Sequence, residues 1–309
     1  MKVSFSVERS IVIQADKAKV FNSITNFKEW KQWSPWLIAD PECVVNYSAD
    51  GTEYSWDGKI AGAGRMIETK RVINESVDCD LIFTRPFKSH NTTGMKVRDT
   101  PDGTELSWNM VGTLPIFFFF MKDMFAKFVG SDYDRGLKML KEFLETGKVN
   151  SRLTFPGVQK YSGSTFIGLN QSTSIAEIGP SMEQAFASLH EYIGKTGNIQ
   201  PKGAASIYHK WNLKAGTCEY TAAILVDGQP AETSGEFISG QIPEIAGYKV
   251  VHTGSYSHLG NAWAAGMSHS RSRIFKSSQS HPPFEIYEND PNSTPSEELV
   301  TSIYFPVKG

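Results

Sequence analysis

The sequence predicts the α+β fold class in two units, and three observations carry that expectation. Residues 1–147 read as a strand, two short helices, further strands joined in pairs by turn residues, and one long amphipathic helix. The remainder runs twice through the order strand, helix, strand, strand, which is an internal repeat. Between them residues 148–155 are polar with few structure signals, so the domains are expected at 1–150 and 151–309.

Composition narrows the function classes. A chain of 309 residues has room for two cores, at ~100–200 residues each. A net charge of −2 offers neither the basic surface of a nucleic-acid binder nor an acidic tail. Cys43, Cys79 and Cys218 are odd in number and far apart, which argues for reduced thiols rather than a disulfide framework or zinc cluster. The opening MKVSFSVERSIVIQA alternates as a strand and lacks the layout of a signal peptide. The longest apolar run, 114–121, is far below the ~20 residues of a bilayer span. The expected setting is therefore soluble and cytoplasmic.

In the first unit, residues 3–14 form a strand and Asp16 caps a short helix carrying Val20, Phe21 and Ile24. A second short helix over 27–33 stops at Ser34-Pro35. Strand pairs follow: 43–48 with 52–56 around Ala49-Asp50-Gly51, 64–72 with 77–84 around Asn74-Glu75-Ser76, and 91–98 with 104–112 around Pro101-Asp102-Gly103. The long helix starts at Ser131 as N-cap, with Asp132 and Asp134 in its first turn, and ends at Gly147. Tyr133, Leu137, Leu140 and Leu144 make its apolar stripe, and Gly136 on that face admits a close backbone neighbour. A curved sheet wrapped on this helix leaves space that the short helices cannot fill. Before the helix, the segment 115–130 carries Phe117, Phe118, Met121, Met124, Phe125 and Phe128 opposite Lys122, Asp123 and Lys127. It reads first as a helix packed on a cavity mouth, with a movable lid or a lipid-touching segment as the sharper alternative.

IVIQADKAKVFNSITNFKEWKQWSPW and VGSDYDRGLKMLKEFLE resemble the opening and the closing helix of the polyketide cyclase/dehydrase branch of the START-like (SRPBCC, Bet v 1-like) superfamily. The resemblance covers about 1–147 and implies a helix-grip fold with an apolar cavity between sheet and helix. The residues themselves reveal no chemistry there. Asp57, Glu68, Asp78 and Asp80 show no acid–base spacing and read as solvated carboxylates, and Trp30, Trp33 and Trp36 read as packing near the cavity mouth.

In the second unit the first half reads as strand 157–169, helix 180–193, and strands 204–211 and 219–226. The second half reads as strand 248–255, helix 259–275, and strands 283–288 and 298–306. Met182, Ala185, Phe186, Leu189 and Ile193 stripe the first helix; Trp263, Met267 and Phe275 stripe the second less cleanly. ASIYH in one half aligns with FEIYE in the other, so Ser206 and Glu285 hold corresponding places. Alternation puts Tyr287 on the face of Glu285 and sends Phe284 and Ile286 to the other.

YKVVHTGSYSHLGNAW and FEIYENDPNSTPSEELVTSIYFPV resemble the GyrI-like domain, the effector-binding domain of AraC- and MerR-type activators. Gly254-Ser255-Tyr256 stands where that family usually has Gly-Pro-Tyr. The resemblance covers about 155–309 and implies two pseudo-symmetric halves around a drug-sized aromatic pocket with a buried glutamate, here Glu285. A carboxylate kept beside rings points to a cation receptor or an acid–base group. Tyr287, Tyr208, Trp211, Tyr220 and Trp263 are the other pocket candidates.

No further motif survives inspection. Gly62-Ala63-Gly64 is a lone GxG leading into a strand, the histidines form no metal-binding spacing, and no GxSxG elbow occurs. His269 to Arg273 is a small basic patch at a helix end, and no stretch reads as a helix-turn-helix. No metal or cofactor is implied, and neither direct nucleic-acid binding nor a transmembrane segment is expected. The expected function is binding of a small apolar or cationic aromatic molecule. The alternatives that the GyrI-like resemblance implies are a hydrolase of strained electrophiles using Glu285 with Tyr287 or Tyr256, and an interaction factor acting on a protein partner such as DNA gyrase.

Overall fold

The computed structural model describes residues 2–196, 199–228 and 233–308; the side chains of Lys2, Pro115 and Phe118 lie outside that description. The chain divides into two compact units, Met1–Asn150 and Ser151–Gly309. Each is an antiparallel sheet with few helices, an α+β arrangement.

The first unit opens with β1 (Lys2–Ile13), α1 (Lys17–Thr25) and a 3₁₀ turn at Trp30–Gln32. β2 (Val44–Tyr47), β3 (Glu53–Gly58), β4 (Gly62–Val72), β5 (Ser76–Arg85), β6 (Ser89–Thr100) and β7 (Gly103–Pro115) follow as a meander. A 3₁₀ turn, Ile116–Met121, leads into α2 (Lys122–Thr146). The sheet order is β1-β7-β6-β5-β4-β3-β2, with β1 closing on β7 from Lys2↔Pro115 to Ile13↔Thr104. Alternation sets its inner face: Leu106, Trp108 and Met110 on β7 are buried.

Helix α2 begins nine residues before Ser131, which lies exposed inside it and caps nothing. The acids read as first-turn residues serve tertiary contacts instead. Asp134 pairs with Arg9 at 3.0 Å, and Asp132 accepts from Trp36 Nε1 at 3.0 Å and pairs with Arg135 at 2.7 Å. A capping residue only starts a helix where the preceding residues leave helical conformation, and here Phe125 and Val129, both partly buried, carry it onward. Gly147 does terminate it, in the left-handed conformation (φ 85°), with its N–H on Phe143 O.

The space expected beneath α2 is occupied by rings. Trp108 stacks on Tyr133 of α2 at 3.9 Å, and Trp30, Trp33 and Trp36 pack edge-on against Trp108. Gly136 accommodates side chains rather than backbone, since a Cβ there would lie 3.2 Å from both Pro35 Cδ and Trp108 Cζ3. A cavity lined by residues including Ile24, Phe27, Met66, Cys79 and Met95 has room for about one water (about 10 Å³). The segment before α2 does not cover it. Phe117, Phe119 and Phe120 are 67%, 64% and 70% exposed. Among the strand carboxylates, Asp57 pairs with Arg85, Glu68 with Arg71 and Asp80 with His90.

The second unit comprises β8 (Ser151–Tyr161), β9 (Ser164–Ser174), α3 (Ile178–Thr196), β10 (Pro201–Asn212), β11 (Thr217–Val226) and β12 (Phe237–Ile242). It continues with β13 (Ile245–Gly254), a 3₁₀ turn at Tyr256–His258, α4 (Gly260–Arg271), β14 (Phe284–Tyr287) and β15 (Val300–Pro306). The order β12-β9-β11-β10-β14-β15-β13-β8 is symmetric about the β10–β14 pair. The one strand expected over 157–169 is two, turned at Gly163 (φ 84°), and β8 starts inside the segment read as a polar crossing. β8 then pairs with β13 of the second half and β12 with β9 of the first, so the halves exchange edge strands. In α4 Met267 is exposed, not part of a stripe, and Phe275 lies beyond the helix, stacked on Tyr248 at 4.3 Å.

Candidate functional site

The antiparallel register of β10 on β14 sets Ser206 directly opposite Glu285, and therefore on one face of the sheet. Phe284 goes to the other face, into a core with Ile207, Phe166 and Tyr304. On the first face, α3 brings Met182 to Tyr287 and α4 brings Trp263 to Glu285.

Glu285 is fully buried and receives three donors. Trp263 Nε1 donates to Oε1, while Tyr208 OH and Tyr287 OH donate to Oε2 at 3.0 and 2.7 Å. Burial pushes its carboxyl above the usual carboxylate range, and the three donors pull it partway back. Among the described residues, the groups acting on it are these three donors, with no cationic side chain. Burial, then the neighbouring Glu285 carboxylate, holds both Tyr208 and Tyr287 well above the ordinary phenol range.

Rings enclose the carboxylate. Trp211 stacks on Tyr208 at 5.3 Å, Trp263 meets Tyr208 edge-on at 4.7 Å, and Tyr220, bonded to Ser181 at 2.8 Å, lies 6.0 Å from Tyr208. Trp211 reaches this face because the ladder slips between Tyr208 and Lys210; strict alternation would have sent it to the other side. Its buried Nε1 has no hydrogen-bond partner among the described residues. Tyr287, Tyr256, Phe186 and Met182 are only half-buried and form the outer wall, with Tyr256 and Phe186 edge-on to Tyr287 at 5.6 and 5.8 Å.

All six pocket candidates read from the sequence, Glu285, Tyr287, Tyr208, Trp211, Tyr220 and Trp263, thus lie in one cluster. Of the two tyrosines weighed as partners in catalysis, Tyr287 bonds to Glu285. Tyr256 adjoins Tyr287 through its ring, and burial followed by the Glu285 charge pushes its hydroxyl up to about 12. Met182 and Phe186 join the site although the sequence marked them only as a helix stripe. Their signal was the repeat itself: Met182 and Phe186 of α3 reach Tyr287 of β14 as Trp263 of α4 reaches Tyr208 of β10.

The arrangement defines a class, a sheet-and-helix cup built around one buried acid. Residues 159–308 match the family profile of the GyrI-like small molecule binding domain, and residues 4–145 that of the polyketide cyclase/dehydrase and lipid transport family. Each half of the chain therefore resembles a ligand-binding type of domain. Among solved structures, the chain is similar to EcmrR in a cryo-EM complex with DNA (16% identity over 63% of this chain and 72% of that one, TM-score 0.44). It is similar to the crystal structure of the EcmrR C-terminal domain (17%, 51% and 98%, TM-score 0.40). The Aha1 dimer from Colwellia psychrerythraea is a further neighbour (17%, 46% and 98%, TM-score 0.35). No curated protein matches the chain.

Proposed function

We propose that residues 151–309 form an effector-binding domain for a small cationic aromatic molecule, with Glu285 as its charge partner. Residues 1–150 are read as a companion domain of the helix-grip type. The observation that carries the reading is Glu285: a fully buried carboxyl, ringed by aromatics, with hydrogen-bond donors but, among the described residues, no cation acting on it. A buried carboxylate without a countercharge is costly, and a ligand cation removes that cost. Tyr287 supplies the route. Its hydroxyl also lies 3.0 Å from Ser206 Oγ, so it keeps a partner when a cation takes its place at Oε2. The flanking rings supply stacking surfaces and cation–π attraction.

Titration calorimetry with a cationic xanthene dye and an uncharged analogue tests this, alongside a product assay. Glu285→Gln keeps shape and removes charge. Loss of one partner of a buried charge pair costs ~2–5 kcal/mol, so the cation is expected to bind about thirty-fold to several thousand-fold more weakly, and the neutral analogue as before. Equal loss of both ligands, or no loss of either, rejects the assignment. Product formation that stops with Glu285→Gln while binding persists would establish the hydrolase instead.

A further inference from the structure

Two aromatic segments project from the same end of the first unit's sheet. Phe83↔Ser89 closes the β5–β6 hairpin there, and Lys2↔Pro115 brings the exit of β7 to that end too. At the hairpin tip Phe87 is 81% exposed; after β7 come Phe119 and Phe120, 64% and 70% exposed, beside exposed Ile116. Such rings stand clear of the surface instead of lying in it. A protein partner would need a fitted pocket for each, whereas the interfacial layer of a bilayer accepts any projecting ring. The charges fit one kind of bilayer. Residues 86–92 and 113–123 include Lys88 and Lys122 and one acid, Asp123 in the first turn of α2; Lys59 lies on the next turn, and the nearby Asp57 is already paired with Arg85.

We infer that this end of the first unit docks on an anionic lipid surface, Phe87, Phe119 and Phe120 entering the interface and Lys88 and Lys122 contacting headgroups. The inference is independent of the role given to Glu285. It is tested by flotation of the full chain with phosphatidylcholine vesicles, with and without about one quarter phosphatidylglycerol. Binding is expected with the anionic vesicles, weakened by salt, and about tenfold weaker for each ring removed in Phe87→Ser and in Phe119→Ser/Phe120→Ser. These side chains are exposed, so unchanged thermal transitions will show that the variants fold. The charge reversals Lys88→Glu and Lys122→Glu should weaken anionic binding alone. Failure of the intact chain to float, equal binding to neutral vesicles, or indifference to the ring substitutions overturns the inference. So does a dimer that the Phe119→Ser/Phe120→Ser variant dissociates without any vesicle binding, for then a second copy covers this face.

Discussion

Ser206 and Glu285 stand directly opposite each other at the centre of the second unit, and they hold the same position in the two halves of its repeat. The register is symmetric about them, with Ala205↔Ile286 and Ile207↔Phe284 on either side. Their neighbours two residues on, Tyr208 and Tyr287, are also equivalent, yet both turn their hydroxyls to Glu285 Oε2. A symmetric scaffold thus serves one acid. The half that carries serine contributes a donor to the half that carries glutamate.

That asymmetry separates the two tyrosines. Hydrogen bonds to a charged group are worth ~1.5–3 kcal/mol. Tyr208→Phe removes a donor that the bound carboxylate keeps, so cation affinity should fall about tenfold or more. Tyr287→Phe removes the donor that the cation replaces, so calorimetry should show a loss several-fold smaller. Equal losses would mean that the cation enters elsewhere.

Glu285 also sets a pH dependence. Its folded-state proton affinity is raised by burial, so the stability it contributes is complete below the ordinary carboxylate range and is lost as pH rises through its raised value. Cation affinity should rise over the same window, with proton release on binding. Thermal melts of the ligand-free Glu285→Gln variant at pH 8 should show a gain in stability over the unmodified chain that shrinks toward acid pH. A variant less stable at pH 8 than at pH 4, relative to the parent, would contradict this sign.

In the first unit, Gly136→Leu is an overpacking substitution. Pro35 and Trp108 already lie 3.2 Å from where the Cβ would be, and Trp108 is held by its stack on Tyr133. Chemical denaturation should show a loss of ~1–3 kcal/mol. A neutral or stabilising result would mean that the rings yield and that room exists beneath α2.

Local chemistry made much of this legible. Gly103, after Pro101-Asp102, turns a hairpin wherever it stands, and alternation along β14 separates Tyr287 from Phe284 without tertiary knowledge. The repeat gave Ser206 the place that corresponds to Glu285, and the pairing of β10 with β14 then set the two opposite each other. What the sequence hid depended on comparison between distant segments. Ser131 has the chemistry of a cap, but whether a helix already runs through it is decided upstream. Trp211 joins the site through a slip in pairing that no spacing announces. The Phe117 to Phe120 run is apolar whether covered or bare, and only the fold decides which.

His252 supplies a second pH effect of opposite sign, separable from that of Glu285. The residue is fully buried on β13, with Nε2 3.1 Å from Ser151 Oγ and Nδ1 without a hydrogen-bond partner among the described residues. Burial first, then the neighbouring His258, lowers its pKa from 6.5 to about 4. A histidine held neutral in the fold contributes stability that is intact above its unfolded value and is lost as pH falls from about 6.5 to about 4. Across that window the loss is about 3 kcal/mol, at 1.36 kcal/mol for each pKa unit. Glu285 titrates with the other slope and would partly mask it, so the measurement belongs in the Glu285→Gln background. There, urea denaturation between pH 7 and pH 4 should show stability falling toward acid, and adding His252→Gln should flatten that slope even if it lowers the plateau. A slope that survives His252→Gln would assign the acid sensitivity to other groups and show that the buried imidazole takes up its proton without penalty.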